Sequence, residues 1–179
     1  MIGCDIMNII KSLIREGYRI DIVIDPFPCD PREFDNLGYL VCWHNRYQLG
    51  DEMPRINMQD WYNEHCTEYE IMLPVYLMDH SGLALSIKPF NDPWDSGQVG
   101  WLCVTKEQLE AEYGLHYDPD DVRAVLYAEI ATYSAYLNGE CYGWRITMDD
   151  GELVDDGYGF YDMDQCIREA EAIVDEMTR

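Results

Sequence analysis

Residues 74–87, PVYLMDHSGLALSI, and residues 99–104, VGWLCV, decide the fold class of this chain. The first segment places turn-forming residues at Asp79–Gly82 between two apolar runs, which predicts a β-hairpin. The second segment is the most apolar strand candidate in the chain. The spacer between them, KPFNDPWDSGQVG at 88–100, is rich in residues that favour turns. Together these segments predict an antiparallel sheet.

Two further strands and a second hairpin are predicted on either side of this centre. Residues 18–24 (YRIDIVI) alternate apolar and polar side chains, as a half-buried strand does. Residues 38–44 (GYLVCWH) form another β-rich run. Residues 141–148 and 152–161 flank Asp149-Asp150-Gly151, a strong turn signal, and therefore predict a hairpin.

Five helices are predicted by apolar residues at helical spacing and by residues typical of helix ends. They are residues 5–16 between the cap Asp5 and the stop Gly17, residues 59–70, residues 105–113 with the capping-box pair Thr105 and Gln108, residues 118–137 with Val122, Val125, Leu126, Ile130, Tyr133 and Leu137 facing inward, and residues 163–177 with Ile167, Ala170, Ile173, Val174 and Met177 on one face. Because strands and helices do not alternate regularly, we expect an α+β fold with mainly antiparallel sheet and about four to five helices. No linker is long enough to split the chain, which predicts a single domain over residues 1–179.

The composition describes a folded and strongly acidic protein. Among 179 residues, 35 are Asp or Glu and 12 are Lys or Arg, which gives a formal net charge of −23. Aromatic residues make up 13% of the chain, whereas disordered acidic segments are poor in them. The charge excludes a protein that binds nucleic acid through a basic face, and it argues against docking on anionic membranes.

The acidic excess lies mainly in the second half of the chain. Residues 1–90 contain 14 acids and 7 bases, and residues 91–179 contain 21 acids and 5 bases. Nine of the bases are arginine, the cation best suited to bidentate or buried pairs. We therefore expect the few cations to be held in structural pairs, leaving a surface of carboxylates. A halophilic source would produce the same excess.

The seven cysteines are odd in number, widely separated and without a CxxC pair, which predicts reduced thiols in a cytoplasmic protein. No apolar run approaches the ~20 residues of a membrane helix, and no signal peptide is expected. The histidines and cysteines lack zinc-site spacing, although Cys42 and His44 share one face of a predicted strand. No glycine-rich phosphate motif is present, so we expect neither a metal nor a cofactor.

Two local segments allow both a structural and a functional interpretation. The run Asp79-His80-Ser81-Gly82 is ordinary turn chemistry, or part of a hydrolytic site that also uses loop 92–97. In NDPWDSGQVG (91–100), Trp94 either folds onto the core or is presented to a partner with Asp92 and Asp95.

The carboxylates of residues 107–164 form the third ambiguous feature. They are either solvated faces or an array that imitates nucleic-acid phosphates, because helical residues three or four apart have Cβ atoms ~5–6 Å apart. The stretch 148–164 is also acidic enough to suggest a Ca²⁺-dependent binding module, although it lacks the ligand spacing of the twelve-residue calcium loop.

Three segments resemble a group of small acidic proteins encoded by phages and mobile elements of bacteria. They are NLGYLVCWHNRYQLGDE (36–52), PVYLMDHSGLALSIKPFNDPWDSGQVGWLCVTKEQLEAEYG (74–114) and GECYGWRIT (139–147), and DPWDSGQVG is the most specific phrase. The resemblance implies no reaction and no residue roles. It implies a context, since accessory genes of this kind often act against restriction or CRISPR systems; anti-restriction DNA mimics are similar in size and charge.

The leading hypothesis is a non-enzymatic anti-defence inhibitor in the host cytosol. Its acidic surface would occupy the basic groove of a host nuclease, a CRISPR complex or a restriction complex, with no direct contact to nucleic acid or membrane. The alternatives are a hydrolase-like enzyme near Asp79 and His80 and the Ca²⁺-dependent module. The residues predicted to bind the partner are Asp92, Trp94, Asp95, Glu107, Glu110, Glu112, Tyr117, Asp118, Asp120, Asp121, Asp149, Asp150, Glu152, Asp155 and Asp156.

Overall fold

The computed structural model describes residues 8–179, in which strands and helices are arranged as two antiparallel sheets with helices against them. The elements, in chain order, are β1 (Ile9–Arg15), β2 (Tyr18–Ile24), β3 (Tyr39–Cys42), α1 (Met58–His65), β4 (Ile71–Asp79), β5 (Leu83–Ser86), β6 (Ser96–Val104), α2 (Lys106–Tyr113), α3 (Pro119–Leu137), β7 (Tyr142–Thr147), β8 (Leu153–Phe160) and α4 (Met163–Met177). A short 3₁₀ helix covers Pro31–Glu33. The predicted α+β class, with antiparallel sheet and four helices in this range, is confirmed.

Contacts divide the chain into two compact units. Unit 1 contains residues 1–29 and 139–179, and unit 2 contains residues 30–138. The prediction of a single domain over residues 1–179 stays a prediction. No helix among residues 8–179 is both long and apolar enough to cross a membrane.

Unit 2 is built on the sheet β3-β6-β4-β5. Residues of β6 alternate between two cores because successive strand residues point to opposite faces. Leu102 joins the core that includes Leu126 and Ile130 of α3, whereas Cys103 joins the smaller core around Trp61 of α1. Burial on both faces explains why residues 99–104 are almost continuously apolar. The predicted hairpin at 74–87 and the strand at 99–104 are confirmed.

Unit 1 is built on the sheet β1-β2-β7-β8, with α4 against one face. Ile20, Ile22, Trp144 and Ile146 of the sheet form a core with the buried residues of α4, which are Cys166, Ala170 and Val174. The Arg15 guanidinium donates to both carboxylate oxygens of Asp175, at 2.6 and 2.8 Å, and ties α4 to β1. This hydrogen-bonded cation also lowers the pKa of Asp175 below its usual value.

The predicted helix at 5–16 is wrong for the described part, because residues 9–15 form strand β1. Glu16 and Gly17 have φ angles of 49° and 81°, as in the two-residue turns that join antiparallel strands. Gly17 therefore closes a hairpin with β2 instead of ending a helix. The isoleucines of this segment fit helical spacing, but their β-branched side chains favour a strand that can pair with β2. The proposed cap Asp5 lies outside the described residues.

Three of the other helices are confirmed within one residue of their predicted ends, whereas the helix predicted at 59–70 ends at His65. Two residues predicted on inner faces are exceptions. Val125 of α3 is 38% exposed and Met177 of α4 is 40% exposed, so neither belongs to the cores as predicted. The buried stripe of α3 is Val122, Leu126, Ile130 and Tyr133, and Val125 falls at its edge. Met177 is the last residue of its helix, where less of the sheet covers it.

Candidate functional site

The carboxylates predicted to bind a partner on α2 and at the start of α3 are exposed in the structure. Glu107, Glu110 and Glu112 extend from α2, which is anchored by the buried Leu109 and by the capping box of Thr105 and Gln108. Asp118 caps α3 by accepting from the Asp120 backbone NH at 2.9 Å, and Asp118, Asp120 and Asp121 all remain exposed. Two cations lie nearby in sequence: Lys106 pairs with Glu110 at 3.6 Å, and Arg123 is exposed. This group of six carboxylates is called the helix acids.

The second group of predicted residues lies on the β7–β8 hairpin of unit 1. Asp149, Asp150, Glu152, Asp155 and Asp156 are all exposed, and residues 148–156 contain no base. Asp150 shapes the turn by accepting from the Glu152 backbone NH at 3.0 Å. β8 is an edge strand of its sheet, and its Asp156 lies opposite Arg145 of β7. They are called the hairpin acids. The hairpin acids belong to unit 1 and the helix acids to unit 2, so it stays a prediction that the two groups bind one partner together.

Several of the few cations are held in pairs inside their own unit. Arg15 contacts Asp175, Arg19 contacts Asp21 at 2.9 Å, and Arg46 contacts Asp79 at 2.5 Å. Arg32 is held most firmly, with a side chain that is only 7% exposed against Asp51. Arg32 fits the expectation that arginine is held in structural pairs, whereas the pairs of Arg19 and Arg46 are exposed and Arg55 forms no ion pair within residues 8–179.

Loop 91–97 presents Trp94 to solvent. The indole is 93% exposed, so the interpretation in which it folds onto the core is wrong. The Asp92 carboxylate accepts from the backbone NH groups of Trp94 at 3.0 Å and Asp95 at 3.3 Å, and it shapes the loop. Tyr117 differs from the prediction, because it is half-buried and packs against the core of unit 2.

The region around His80 contains one element of the enzyme alternative. His80 Nδ1 lies 2.7 Å from a carboxylate oxygen of Asp95, a distance at which a carboxylate can orient an imidazole. The His80 side chain is nevertheless 67% exposed, and Ser81 has a φ of 60° in the open turn. Neither His80 nor Ser81 lines the cavity that Asp79 and Asp95 border. The hydrolase alternative stays a prediction.

An adjoining groove is lined by residues that sequence reasoning did not select as a site. It has a volume of ≈ 800 Å³ and contains Trp43, His44, Arg46, Arg55 and Gln98. A second cavity of ≈ 280 Å³ shares His44 and Arg46 with it and reaches Trp94. We call the two together the arginine groove. The sequence does contain one signal: residues 36–50, between Asp35 and Asp51, have no acid in this acidic chain.

Metal ligands are not grouped in the described chain. Among residues 8–179, no group of three or more His, Cys, Asp or Glu side chains is arranged to hold a metal ion. Cys42 and His44 were a possible pair, but Cys42 is buried and desolvation raises the pKa of its thiol to about 12. The six described cysteines are free thiols, and Cys4 lies outside the described residues.

Comparisons with protein-family models, with curated proteins and with solved structures found no match to this chain.

Proposed function

We propose that this protein is a non-enzymatic inhibitor of host defence, encoded by a phage or mobile element and acting in the cytosol of the host. Its exposed carboxylates would imitate nucleic-acid phosphates and occupy the basic groove of a restriction or CRISPR complex. The proposal rests chiefly on one observation: five exposed carboxylates lie within residues 149–156, in the β7–β8 connection and on the edge strand β8, and the cation beside them is Arg145, opposite Asp156.

The density of the hairpin acids suits a basic groove. Asp149, Asp150 and Glu152 precede β8, and Asp155 and Asp156 are consecutive residues of β8 that extend from opposite faces of the sheet. The resemblance to a nucleic-acid backbone therefore lies in five carboxylates within eight residues and not in a regular interval.

The helix acids offer the same chemistry on unit 2. Glu107 and Glu110 are three residues apart on α2, which places their Cβ atoms ~5–6 Å apart. Lys106 pairs with Glu110 alone, so much of the remaining negative charge on this surface is uncompensated. Attraction between such a surface and a basic groove accelerates association and weakens as salt is added.

The first experiment measures relief of restriction in cells. Unmodified phage is plated on hosts with a type I restriction enzyme or a CRISPR complex, with and without this protein. We expect the protein to raise plating, and we expect the variant D149N/D150N/E152Q/D155N/D156N to lose at least about tenfold of that relief, the lower end of electrostatic effects on association rates. Thermal unfolding of the variant checks that it is folded.

A matched control separates the place of the charge from its total. The variant E33Q/E64Q/E70Q/E169Q/E176Q removes the same number of exposed carboxylates outside both acidic groups. It is expected to keep its relief of restriction. The proposal fails if both variants lose equally, if neither loses, or if binding to a purified target complex is unchanged at about 0.5 M salt, where screening is strong.

A further inference from the structure

The arginine groove differs in charge from the rest of the molecule. The chain has 35 acidic residues and 12 basic ones, yet none of the residues lining the ≈ 800 Å³ part of the groove is an Asp or Glu, and two of them are arginines. Volumes of roughly 300–1,000 Å³ are typical of small-molecule sites. The larger part of the groove is therefore a local region of positive charge with the size of a ligand site, whereas the smaller part also contains Asp79 and Asp95.

The two arginines are available in different ways. Arg46 is held in place because its Nη2 donates to Asp79 at 2.5 Å and its guanidinium lies 5.5 Å from the centre of the Tyr47 ring. Arg55 is exposed and forms no ion pair with any acid in the described part of the chain. A positioned and an uncommitted guanidinium together provide a fork of N–H donors, the arrangement that recognises phosphate.

His44 adds a third donor. Its Nδ1 accepts from the backbone NH groups of Arg46 at 3.3 Å and Tyr47 at 3.2 Å, which assigns the proton of the neutral ring to Nε2. The imidazole is stacked on the Tyr47 ring, with centroids 4.8 Å apart and planes 10° apart. The ring is thus fixed, and Nε2–H remains as a donor on a residue that lines both parts of the groove.

Each of the two parts of the arginine groove has a tryptophan in its lining. Trp43 lines the larger part, where its Nε1 donates to the Ile56 carbonyl at 2.7 Å and holds the ring in place. Trp94 borders the smaller part and is 93% exposed. An exposed indole is unfavourable in water unless it has a partner, and nucleobases stack well on such rings.

We propose that the arginine groove binds a nucleoside phosphate of mononucleotide size. The phosphate would be held by Arg46, Arg55 and His44 Nε2–H, and the base would stack on Trp94. A long nucleic acid is a poor occupant, because each additional phosphate outside the groove meets a protein with a net charge of −23. This site does not use the hairpin acids or the helix acids, although Trp94 and Asp95 also belong to the residues predicted to bind the partner of the inhibitor.

The test is isothermal titration of the full-length protein with AMP, GMP, CMP and UMP, each measured separately, and with the corresponding nucleosides and inorganic phosphate as partial ligands. At least one monophosphate is expected to bind with a Kd below about 1 mM, an affinity that a few charged hydrogen bonds can supply. Its nucleoside and inorganic phosphate are expected to bind at least about tenfold more weakly. Trp94→Phe should reduce the quenching of tryptophan fluorescence on binding.

Variants with equal charge locate the site. Arg55→Gln is expected to weaken binding about tenfold or more, whereas Arg123→Gln changes the net charge identically on an exposed position of α3 and is expected to have no effect. The proposal is overturned if no monophosphate binds below about 1 mM. Equal loss in the two variants, or tighter binding of a ten-residue oligothymidylate than of any monophosphate, would also overturn it.

Discussion

Replacing Arg32 by alanine is expected to lower the free energy of unfolding by about 3–5 kcal/mol, the cost of breaking a buried ion pair. The Arg32 side chain is 7% exposed and that of Asp51 is 17% exposed. Arg32 Nε and Nη2 donate to the two Asp51 oxygens at 2.9 and 2.5 Å, and Nη2 also donates to the Gly38 carbonyl at 2.6 Å. Alanine would leave the Asp51 carboxylate without its cation.

A second carboxylate makes the loss dependent on pH. Glu129 accepts from the backbone NH groups of Leu37 at 2.7 Å and Gly38 at 3.1 Å, and burial raises its pKa while the charge of Arg32 lowers it. Without Arg32 the pKa of Glu129 rises further. When a carboxyl group has a higher pKa in the folded state than in the unfolded state, the protein loses stability as the pH rises from the unfolded-state pKa to the folded-state pKa. The deficit of Arg32→Ala is therefore expected to be larger at pH 7 than at about pH 5.

The measurement is urea unfolding at both pH values, with Arg46→Ala as the matched control. Arg46 also pairs with an aspartate, but its side chain is 69% exposed, so its removal is expected to cost less than about 1 kcal/mol. Equal losses for the two variants would show that the Arg32 pair is not protected from solvent as its geometry indicates.

Gly100→Ala is expected to destabilise the protein by about 3 kcal/mol, at the upper end for overpacking a core. Gly100 lies in β6 between β3 and β4, opposite Cys42 and Val75. A Cβ atom there would lie 2.1 Å from the Val41 carbonyl oxygen and 3.1 Å from Cys42 Cα. Because these are backbone atoms of a paired strand, the clash can be relieved only by separating β3 from β6.

Gly97→Ala is the control within the same strand. A Cβ atom at this position has nothing within 4 Å, so we expect a change between zero and about 0.5 kcal/mol of stabilisation through the unfolded chain. The two variants are compared by urea unfolding at one pH. A loss for Gly100→Ala no larger than that for Gly97→Ala would contradict the close approach of β3 and β6.

The sequence predicted those elements whose signals are local. The hairpin around Asp79–Gly82 and the capping box of Thr105 and Gln108 were both predicted correctly. The capping box joins Thr105 and Gln108, three positions apart, and the turn residues 79–82 favour a chain reversal by their own conformations, so in each case a short stretch contains the whole signal. The sequence did not determine which carboxylates face outward, and the structure shows that the hairpin acids are exposed.

The segment at 9–15 shows where local signals failed. Its isoleucines fit both a helix and a strand, and the choice depended on the neighbouring β2, with which Leu13 and Ile14 are paired opposite Ile20 and Arg19. The arginine groove was missed because Arg46 and Arg55 come from the connection between β3 and α1 and Trp94 comes from the loop before β6, and only the sheet brings these two segments together. No spacing rule in the sequence connects them.

By itself, the sequence determined the α+β class, most element boundaries, the excess of acidic over basic residues and the concentration of that excess in the second half of the chain. Tertiary structure alone decided that β1 is a strand and that Trp94 is exposed while Tyr117 is half-buried. It also decided that Arg32 forms an ion pair with Asp51 and lies close enough to Glu129 to lower the pKa of that carboxyl group. The physical reason is the range of the interactions. Turns, caps and charge composition depend on neighbours within a few residues, whereas strand pairing, burial and ion pairs depend on which distant segments the folded sheets bring into contact.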